Sequence, residues 1–135
     1  MRSLIAAVAV ALFTLTFAAG AAFAAPSFSN IVIASAENAT ESETTFATDT
    51  AELYLSANLA DAASGAKVTI SWISVDSHGV APANYKIDEV NLTVTNENII
   101  TSTLTKPTNG WPVGTYRTDL AVDGTVLGSV DFEVK

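Results

Sequence analysis

The sequence predicts an all-β fold, an antiparallel β-sandwich of about seven strands. Three observations predict this fold class. Apolar residues alternate with polar residues at a period of two in several segments after residue 51. Gly, Asn, Asp and Pro residues separate these segments at short intervals, as turns between strands require. No long segment follows the helical period of about 3.6 residues, which argues against an α/β fold.

The first 24 residues have the three regions of a bacterial-type signal peptide. Arg2 gives one positive charge, residues 4–23 are predominantly apolar, and residues 22–24 read Ala-Phe-Ala, with small residues at the cleavage position. An uncleaved membrane anchor is the alternative, because an apolar segment of about 20 residues can cross a bilayer. We favour cleavage after Ala24, since the segment is rich in Ala and ends in a good cleavage triplet. The protein is therefore predicted to be periplasmic or secreted.

The predicted mature chain, residues 25–135, is the size of one domain. Its 111 residues suffice for one hydrophobic core and leave no room for a second domain. The chain contains no cysteine, so that core forms without disulfides. Removal of Arg2 leaves 5 basic and 14 acidic residues, a net charge of −9. Such an acidic chain is not expected to bind nucleic acid or, after signal cleavage, a membrane.

The N-terminal part of the mature chain, residues 25–50, is expected to belong to the same domain as residues 51–135. Residues 31–34 are a short β-branched run that is typical of an edge strand. Residues 35–50 are rich in Thr, Ser, Ala and Glu, and Phe46 is their one large apolar side chain. This composition predicts a long polar connection, and residues 51–135 are predicted to form the sandwich.

Two strands are predicted at the start of the sandwich. Residues 52–59 place one set of side chains on a single face: Leu53, Leu55, Ala57 and Leu59. Residues 67–75 resume the pattern, with Val68, Ile70 and Trp72 sharing a face. Because Trp72 has apolar companions at a spacing of two, we expect its ring to lie in the core.

The next part of the chain predicts a loop and two more strands. Residues 76–84 contain Gly and Pro and are predicted to form a loop. Residues 85–95 alternate again, with one slip between Ile87 and Val90 that a β-bulge would explain. Residues 99–105 are the fifth predicted strand, with residues 31–34 counted as the first.

The C-terminal segment predicts a β-hairpin. Residues 116–122 and 126–134 alternate, and the second of these segments includes Phe132. Asp123 and Gly124 lie between them, and both residue types tolerate the positive φ angles of a type I′ turn. The segment is therefore predicted to be two adjacent antiparallel strands.

The hairpin and the segment before it carry a family resemblance. Residues 111–120, of sequence WPVGTYRTDL, followed by a tight turn and a closing strand that ends in Phe-x-Val, resemble the F–G hairpin of immunoglobulin-like and fibronectin type III-like domains. They also resemble small exported bacterial proteins of unassigned function whose immunoglobulin-like domain ends in this W-P-x-G-x-Y pattern. The cysteine pair of antibody domains is absent. The resemblance implies a hydrogen bond from the Tyr116 hydroxyl across the corner and a central Trp72. Structural roles are thus expected for Trp72, Gly114, Tyr116, Gly124 and Phe132.

Few residues suggest catalytic or metal-binding chemistry. His78 is the only histidine, and Asp76 could orient it as a base, but no nucleophile motif accompanies it. We interpret it as a solvated loop residue. Carboxylates occur as the adjacent pair Asp88 and Glu89 and on the last hairpin, at Asp119, Asp123 and Asp131. No calcium-binding loop of closely spaced acidic residues is present. We therefore expect no catalytic residue, no metal and no cofactor.

The aromatic residues suggest a second kind of site. Tyr54, Tyr85 and Trp111 could form a platform for sugars if they lie outside the core. The preferred interpretation of Trp111 is that it covers one end of the sandwich. Trp111 and His78 are the candidate binding residues.

The function predicted from these features is that of a non-catalytic exported module that binds or supports another macromolecule, either a protein or a glycan. Two loops, residues 76–84 and 106–111, would form the contact surface, because loops on a rigid scaffold carry recognition. Two alternatives stay open. One is a carbohydrate-binding module, and the other is a small metal-dependent hydrolase.

Overall fold

The computed structural model describes residues 24–96 and 98–135. The predicted signal peptide, residues 1–24, lies outside the described residues except for Ala24. All regular secondary structure among the described residues is β-strand, which confirms the all-β fold class. None of them belongs to a helix long and apolar enough to cross a membrane. The strands are β1 (Ser27–Ala34), β2 (Thr45–Phe46), β3 (Glu52–Ala60), β4 (Lys67–Asp76), β5 (Tyr85–Thr93), β6 (Ile99–Thr105), β7 (Gly114–Val122) and β8 (Thr125–Val134).

The strands form two sheets that pack face to face. One sheet has three strands in the order β1-β3-β6, and the other has five in the order β2-β8-β7-β4-β5. Neighbouring strands are antiparallel except for β2, which runs parallel to β8. The predicted antiparallel sandwich is confirmed, with one short parallel pair added.

The short strand β2 lies inside the segment that the sequence predicts to be a connection. Its Phe46 is 4% exposed and packs edge-on against Phe132, with 5.6 Å between the ring centroids. Backbone bonds also tie the segment to β8, because the Glu133 amide donates to the Thr44 carbonyl oxygen at 2.9 Å. A single buried ring and a few backbone bonds thus make this polar segment part of the sandwich.

The core lies between the two sheets and contains the inward-facing side chains of both. The alternation predicted for β3 and β4 is confirmed by the burial of every second residue. Phe132 lies at the centre of the aromatic cluster, stacked on Tyr116 at 5.1 Å and edge-on to Trp72 at 6.4 Å. The Trp72 indole also donates to the Ser102 hydroxyl oxygen at 3.1 Å, which links the five-stranded sheet to the three-stranded one.

The predicted β-bulge in β5 and the predicted type I′ turn of the last hairpin are both present. In β5, Asp88 pairs with Trp72 and Lys86 with Ile73, which leaves Ile87 as the extra residue of the predicted bulge. In the last hairpin, Asp123 and Gly124 have φ angles of +48° and +86°, as the type I′ turn requires.

The first strand departs from its prediction. It begins at Ser27 rather than at Ile31, because a bulge lets the chain pair with β3 on both sides of the irregularity. The bulge contains Asn30, whose φ of +48° is one that asparagine adopts more readily than most residues.

One buried hydroxyl suggests a stabilising substitution. Thr118 on β7 is 0% exposed, and its Oγ1 atom has no hydrogen-bond partner within the described chain. A buried hydroxyl without a partner destabilises the fold, and valine has nearly the same shape without it. We expect Thr118→Val to raise the free energy of unfolding by about 1 kcal/mol in urea titrations. Thr115→Val, at an exposed position of the same strand, should change it by less than about 0.5 kcal/mol.

Candidate functional site

The corner before β7 holds one end of the sandwich together. Tyr116 is 2% exposed, and its hydroxyl donates to the Pro112 carbonyl oxygen at 2.5 Å. This hydrogen bond across the corner is the one that the resemblance to immunoglobulin-like domains implies. Burial of the phenol raises the pKa of Tyr116 above its ordinary value of 10.0.

The corner hydrogen bond can be tested with Tyr116→Phe. We expect a loss of about 1 kcal/mol in the free energy of unfolding at neutral pH. Because the pKa of Tyr116 is raised on folding, the tyrosine stabilises the fold below pH 10.0 and loses that effect as the pH rises through the folded pKa. Wild type and variant should therefore converge in urea midpoint above pH 10.0. A constant difference across that range would contradict the burial-raised pKa, whereas equal urea midpoints at neutral pH would contradict the assigned bond.

Gly114 brings two loops into contact at this end. Its φ is +154°, and a Cβ atom there would lie 1.9 Å from the Asp76 carbonyl oxygen and 3.1 Å from Ser77 Cα. The corner therefore packs directly on the start of the loop that follows β4. The two segments predicted to form a contact surface, residues 76–84 and 106–111, lie at the same end of the sandwich, because β4 and β6 both end there.

The loop after β4 is held by its own hydrogen bonds. The Ser77 hydroxyl accepts from the Ala81 amide at 2.7 Å and donates to the Ala81 carbonyl oxygen at 3.2 Å. The Asn84 amide donates to the Val75 carbonyl oxygen at 3.1 Å and closes the loop. The Ser77 side chain and one backbone hydrogen bond therefore fix the conformation of the loop.

His78 is an exposed residue of this loop. The Asp76 carboxylate accepts from the His78 backbone amide at 2.9 Å, so it fixes the turn rather than orienting the imidazole ring. No ring partner for His78 occurs in the part of the chain that the structure describes. The arrangement gives a positive φ of +54° at His78 and offers no base paired with a nucleophile.

Three large apolar side chains are exposed around these loops. Val80 is 71% exposed, Tyr85 51% and Val113 49%. Val80 belongs to the loop, its amide donating to the Ser77 carbonyl oxygen at 3.3 Å, and Val113 precedes Gly114 in the corner. Tyr85 begins β5 beside the same loop. We call these three residues the loop-end surface.

Trp111, a candidate binding residue, is buried. It is 3% exposed, and its indole nitrogen donates to the Thr50 carbonyl oxygen at 2.7 Å. Its backbone amide donates to the Thr48 carbonyl oxygen at 2.9 Å, and its ring is edge-on to Tyr116. The prediction that Trp111 is available to bind a ligand is therefore wrong, because its buried ring has no free face for stacking. Trp111 instead attaches the segment before β3 to the corner.

The other two aromatic residues of the suggested sugar platform lie on different sheets. Tyr85 is on β5 of the five-stranded sheet, and Tyr54 is on β3 of the three-stranded sheet. With Trp111 buried, these aromatic residues do not form one platform.

Tyr54 instead faces an open groove of about 600 Å³ on the outer side of the three-stranded sheet. Hydroxyl and amide side chains line most of it, among them Asn30, Asn58, Ser56, Thr101 and Thr103. The Tyr54 hydroxyl donates to the Glu52 carboxylate, and this bond is the main reason that the pKa of Tyr54 is raised. The groove thus combines hydroxyl and amide side chains with apolar ones such as Val32 and Ile99, and Glu37 is its one acidic lining residue among those described.

Asp119 and Asp123 of the last hairpin have structural partners. Asp119 pairs with Arg117 at 2.9 Å, and Asp123 accepts from the Lys67 amide at 3.0 Å. Asp131 lies opposite Arg117 across β7 and β8. Glu89 pairs with Lys86, and this contact lowers the pKa of Glu89. The described residues contain no cluster of His, Asp or Glu side chains suited to a metal ion.

Comparisons with known proteins identify the fold. No protein-family model and no curated protein sequence matches the chain. An immunoglobulin-like protein from Pseudomonas aeruginosa superposes with a TM-score of 0.54 and 15% identity, over 84% of this chain and 99% of that one. The Pseudomonas fluorescens alkylpurine DNA glycosylase AlkC, solved with abasic DNA, gives a TM-score of 0.52 and 18% identity over 82% of this chain. This chain spans only 30% of that enzyme. The chain therefore folds as an immunoglobulin-like β-sandwich.

Proposed function

We propose that this protein is a non-catalytic, exported immunoglobulin-like module that binds a protein partner through the loop-end surface. The proposed location of the protein, in the periplasm or outside the cell, derives from the signal peptide pattern of residues 1–24. The scaffold would hold Val80, Tyr85 and Val113 in place for a partner.

The observation that carries the proposal is the exposure of three large apolar side chains, two on hydrogen-bonded loops and Tyr85 at the start of β5. Fixed loops lose little conformational entropy on binding, and exposed apolar and aromatic side chains are typical anchors of protein interfaces. The chain carries a net charge of −8, so the partner is expected to offer an apolar surface with basic residues at its rim.

The proposal can be tested by affinity capture with a matched control. The purified protein would be cross-linked in a periplasmic extract beside a variant with both Val80→Asp and Val113→Asp. We expect at least about tenfold less captured partner with that variant, a change of about 1.4 kcal/mol. Val126→Asp is the control, because Val126 is 56% exposed and lies at the opposite end of the sandwich. Equal capture by all three proteins would contradict the proposal.

A glycan ligand is the second candidate, and the groove above Tyr54 favours it. Hydroxyl and amide side chains match the donors and acceptors of a polyhydroxyl chain, and Tyr54 offers a partly exposed ring. Titration calorimetry with glycans would test this candidate. Binding should be lost with Tyr54→Ala and kept with Tyr85→Ala, since Tyr85 lies on the other sheet. Binding that tolerates Tyr54→Ala would reject the groove as the site.

A further inference from the structure

One pair of residues in the loop after β6 is chemically reactive by its sequence. Asn109 is followed by Gly110, whereas the other seven asparagines of the chain precede residues that have side chains. Asparagine is a thermolabile residue, because the backbone nitrogen of the next residue attacks its side-chain amide. A glycine at the next position leaves that nitrogen unshielded. Asn109 is therefore the asparagine of this chain that the sequence favours most for cyclisation.

The side chain that would react is open to solvent. Residues 106–109 are all exposed, and residues 108–109 form a turn after β6 ends. Among the described residues, none makes a hydrogen bond to the Asn109 side chain. Exposed turns of this kind open at a lower free-energy cost than the strands that they connect.

The backbone nitrogen that would attack is held by the fold. The Gly110 amide donates to the Pro107 carbonyl oxygen at 2.9 Å, which closes the turn. The next amide, that of Trp111, donates to the Thr48 carbonyl oxygen at 2.9 Å. A Cβ atom at Gly110 would lie 2.9 Å from the same Thr48 oxygen, so the two backbones pack closely there. The Gly110 nitrogen cannot turn toward the Asn109 side chain until these contacts break.

We propose that Asn109 is a site of spontaneous deamidation that the fold keeps inactive until the loop around Gly110 opens. In the opened loop the Gly110 nitrogen loses its proton to solvent and bonds to the side-chain carbonyl carbon of Asn109. The bond from that carbon to the side-chain nitrogen breaks, and the nitrogen takes up a proton and leaves as ammonia. Water then adds to one of the two carbonyl carbons of the cyclic imide and breaks its bond to the ring nitrogen. The products are aspartate and isoaspartate, and no oxidant or reductant takes part.

The modification makes the opening of the loop permanent. Isoaspartate continues the chain through its former side chain, which adds one carbon atom to the backbone immediately before Gly110. The lengthened backbone cannot restore the bonds from Gly110 to Pro107 and from Trp111 to Thr48 in their original geometry. Because ammonia is lost, the change does not reverse. Isoaspartate at residue 109 is thus a lasting record that this end of the sandwich has opened.

Peptide mapping by mass spectrometry tests the proposal during incubation of the purified protein at mildly alkaline pH. We expect residue 109 to convert at least about tenfold faster in urea above the unfolding transition than in the folded protein, because unfolding frees the Gly110 nitrogen. Asn109→Gln should abolish the conversion, since the larger ring that glutamine would form closes far more slowly. Equal rates in urea and in buffer, no conversion in urea, or faster conversion of another asparagine in urea would overturn the proposal.

Two variants separate opening of the loop from unfolding of the whole domain. Trp111→Phe removes the indole donor to the Thr50 carbonyl oxygen and should raise the rate in the folded protein at least about fivefold. Ser102→Ala removes the acceptor of the Trp72 indole inside the core and should leave the rate within about twofold of wild type. Circular dichroism would establish that both variants are folded. Equal acceleration by the two variants would show that conversion follows global unfolding and would overturn the proposal.

Hydrogen exchange gives a second measurement that needs no substitution. In the wild type, the amides of Gly110 and Trp111 should exchange faster than the amide of Trp72, because the loop opens while the core strands stay paired. Equal protection at these three amides would contradict local opening. In the separated isoaspartate form, the amides of Gly110 and Trp111 should exchange faster than in the wild type. Unchanged exchange there would contradict permanent opening.

Discussion

Gly114→Ala is expected to lower the free energy of unfolding by at least about 3 kcal/mol. A Cβ atom at this position would lie 1.9 Å from the Asp76 carbonyl oxygen, a distance that no side-chain rotation can relieve because both atoms belong to the backbone framework. The φ of +154° adds further strain for any residue other than glycine. The corner and the loop after β4 would have to move apart, and urea unfolding followed by fluorescence would measure the loss.

Gly124→Ala is the matched control for this prediction. Gly124 also has a positive φ, +86°, but a Cβ atom there would meet nothing within 4 Å. Its substitution should therefore cost only the conformational strain, about 1 kcal/mol. Similar losses for the two variants would mean that backbone conformation alone, rather than the contact with Asp76, determines the effect at Gly114.

The contact of Gly114 also connects stability with the proposed binding site. Val113 and the loop that carries Val80 keep their relative positions because Gly114 lets the two backbones approach closely. A folded Gly114→Ala protein should thus lose partner binding even though neither exposed valine has changed.

Much of the fold could be predicted from the sequence because its signals are local. The alternation around Trp72 identifies an inward face from neighbouring residues alone, and Asp123-Gly124 specifies its turn from two residues. The slip in β5 likewise identifies the bulge at Ile87 without any knowledge of the partner strand. Each of these features is determined within a few residues of the chain.

Features that depend on distant partners could not be predicted in this way. Phe46 lies in a mostly polar stretch of the sequence, and only its contact with Phe132 and the backbone bonds to β8 make that segment a strand. Trp111 is held in the core by a hydrogen bond from its indole nitrogen to the carbonyl oxygen of Thr50, a residue 61 positions away. The exposure of Val80 carries no sequence signal, since an apolar residue in a loop is as readily buried as exposed.

Trp72→Ala is expected to destabilise the protein by about 3 to 5 kcal/mol. The ring is 1% exposed and contacts Phe132, so its removal leaves a cavity between the sheets that the surrounding strands cannot fill. Its loss also removes the indole donor to the Ser102 hydroxyl, the hydrogen bond that spans the two layers. The chain has two tryptophans, so Trp111 would remain to report unfolding by fluorescence.

Two further variants separate the volume of the ring from its hydrogen bond. Ser102→Ala keeps the ring but leaves the indole N–H without its acceptor, which should cost about 1 to 3 kcal/mol. Trp72→Phe lacks the N–H but keeps part of the volume, and we expect its stability to lie between wild type and Trp72→Ala. If Trp72→Ala cost no more than Ser102→Ala, the ring would contribute through its hydrogen bond alone. Packing between the sheets would then have to depend on the aliphatic side chains of β3 and β4.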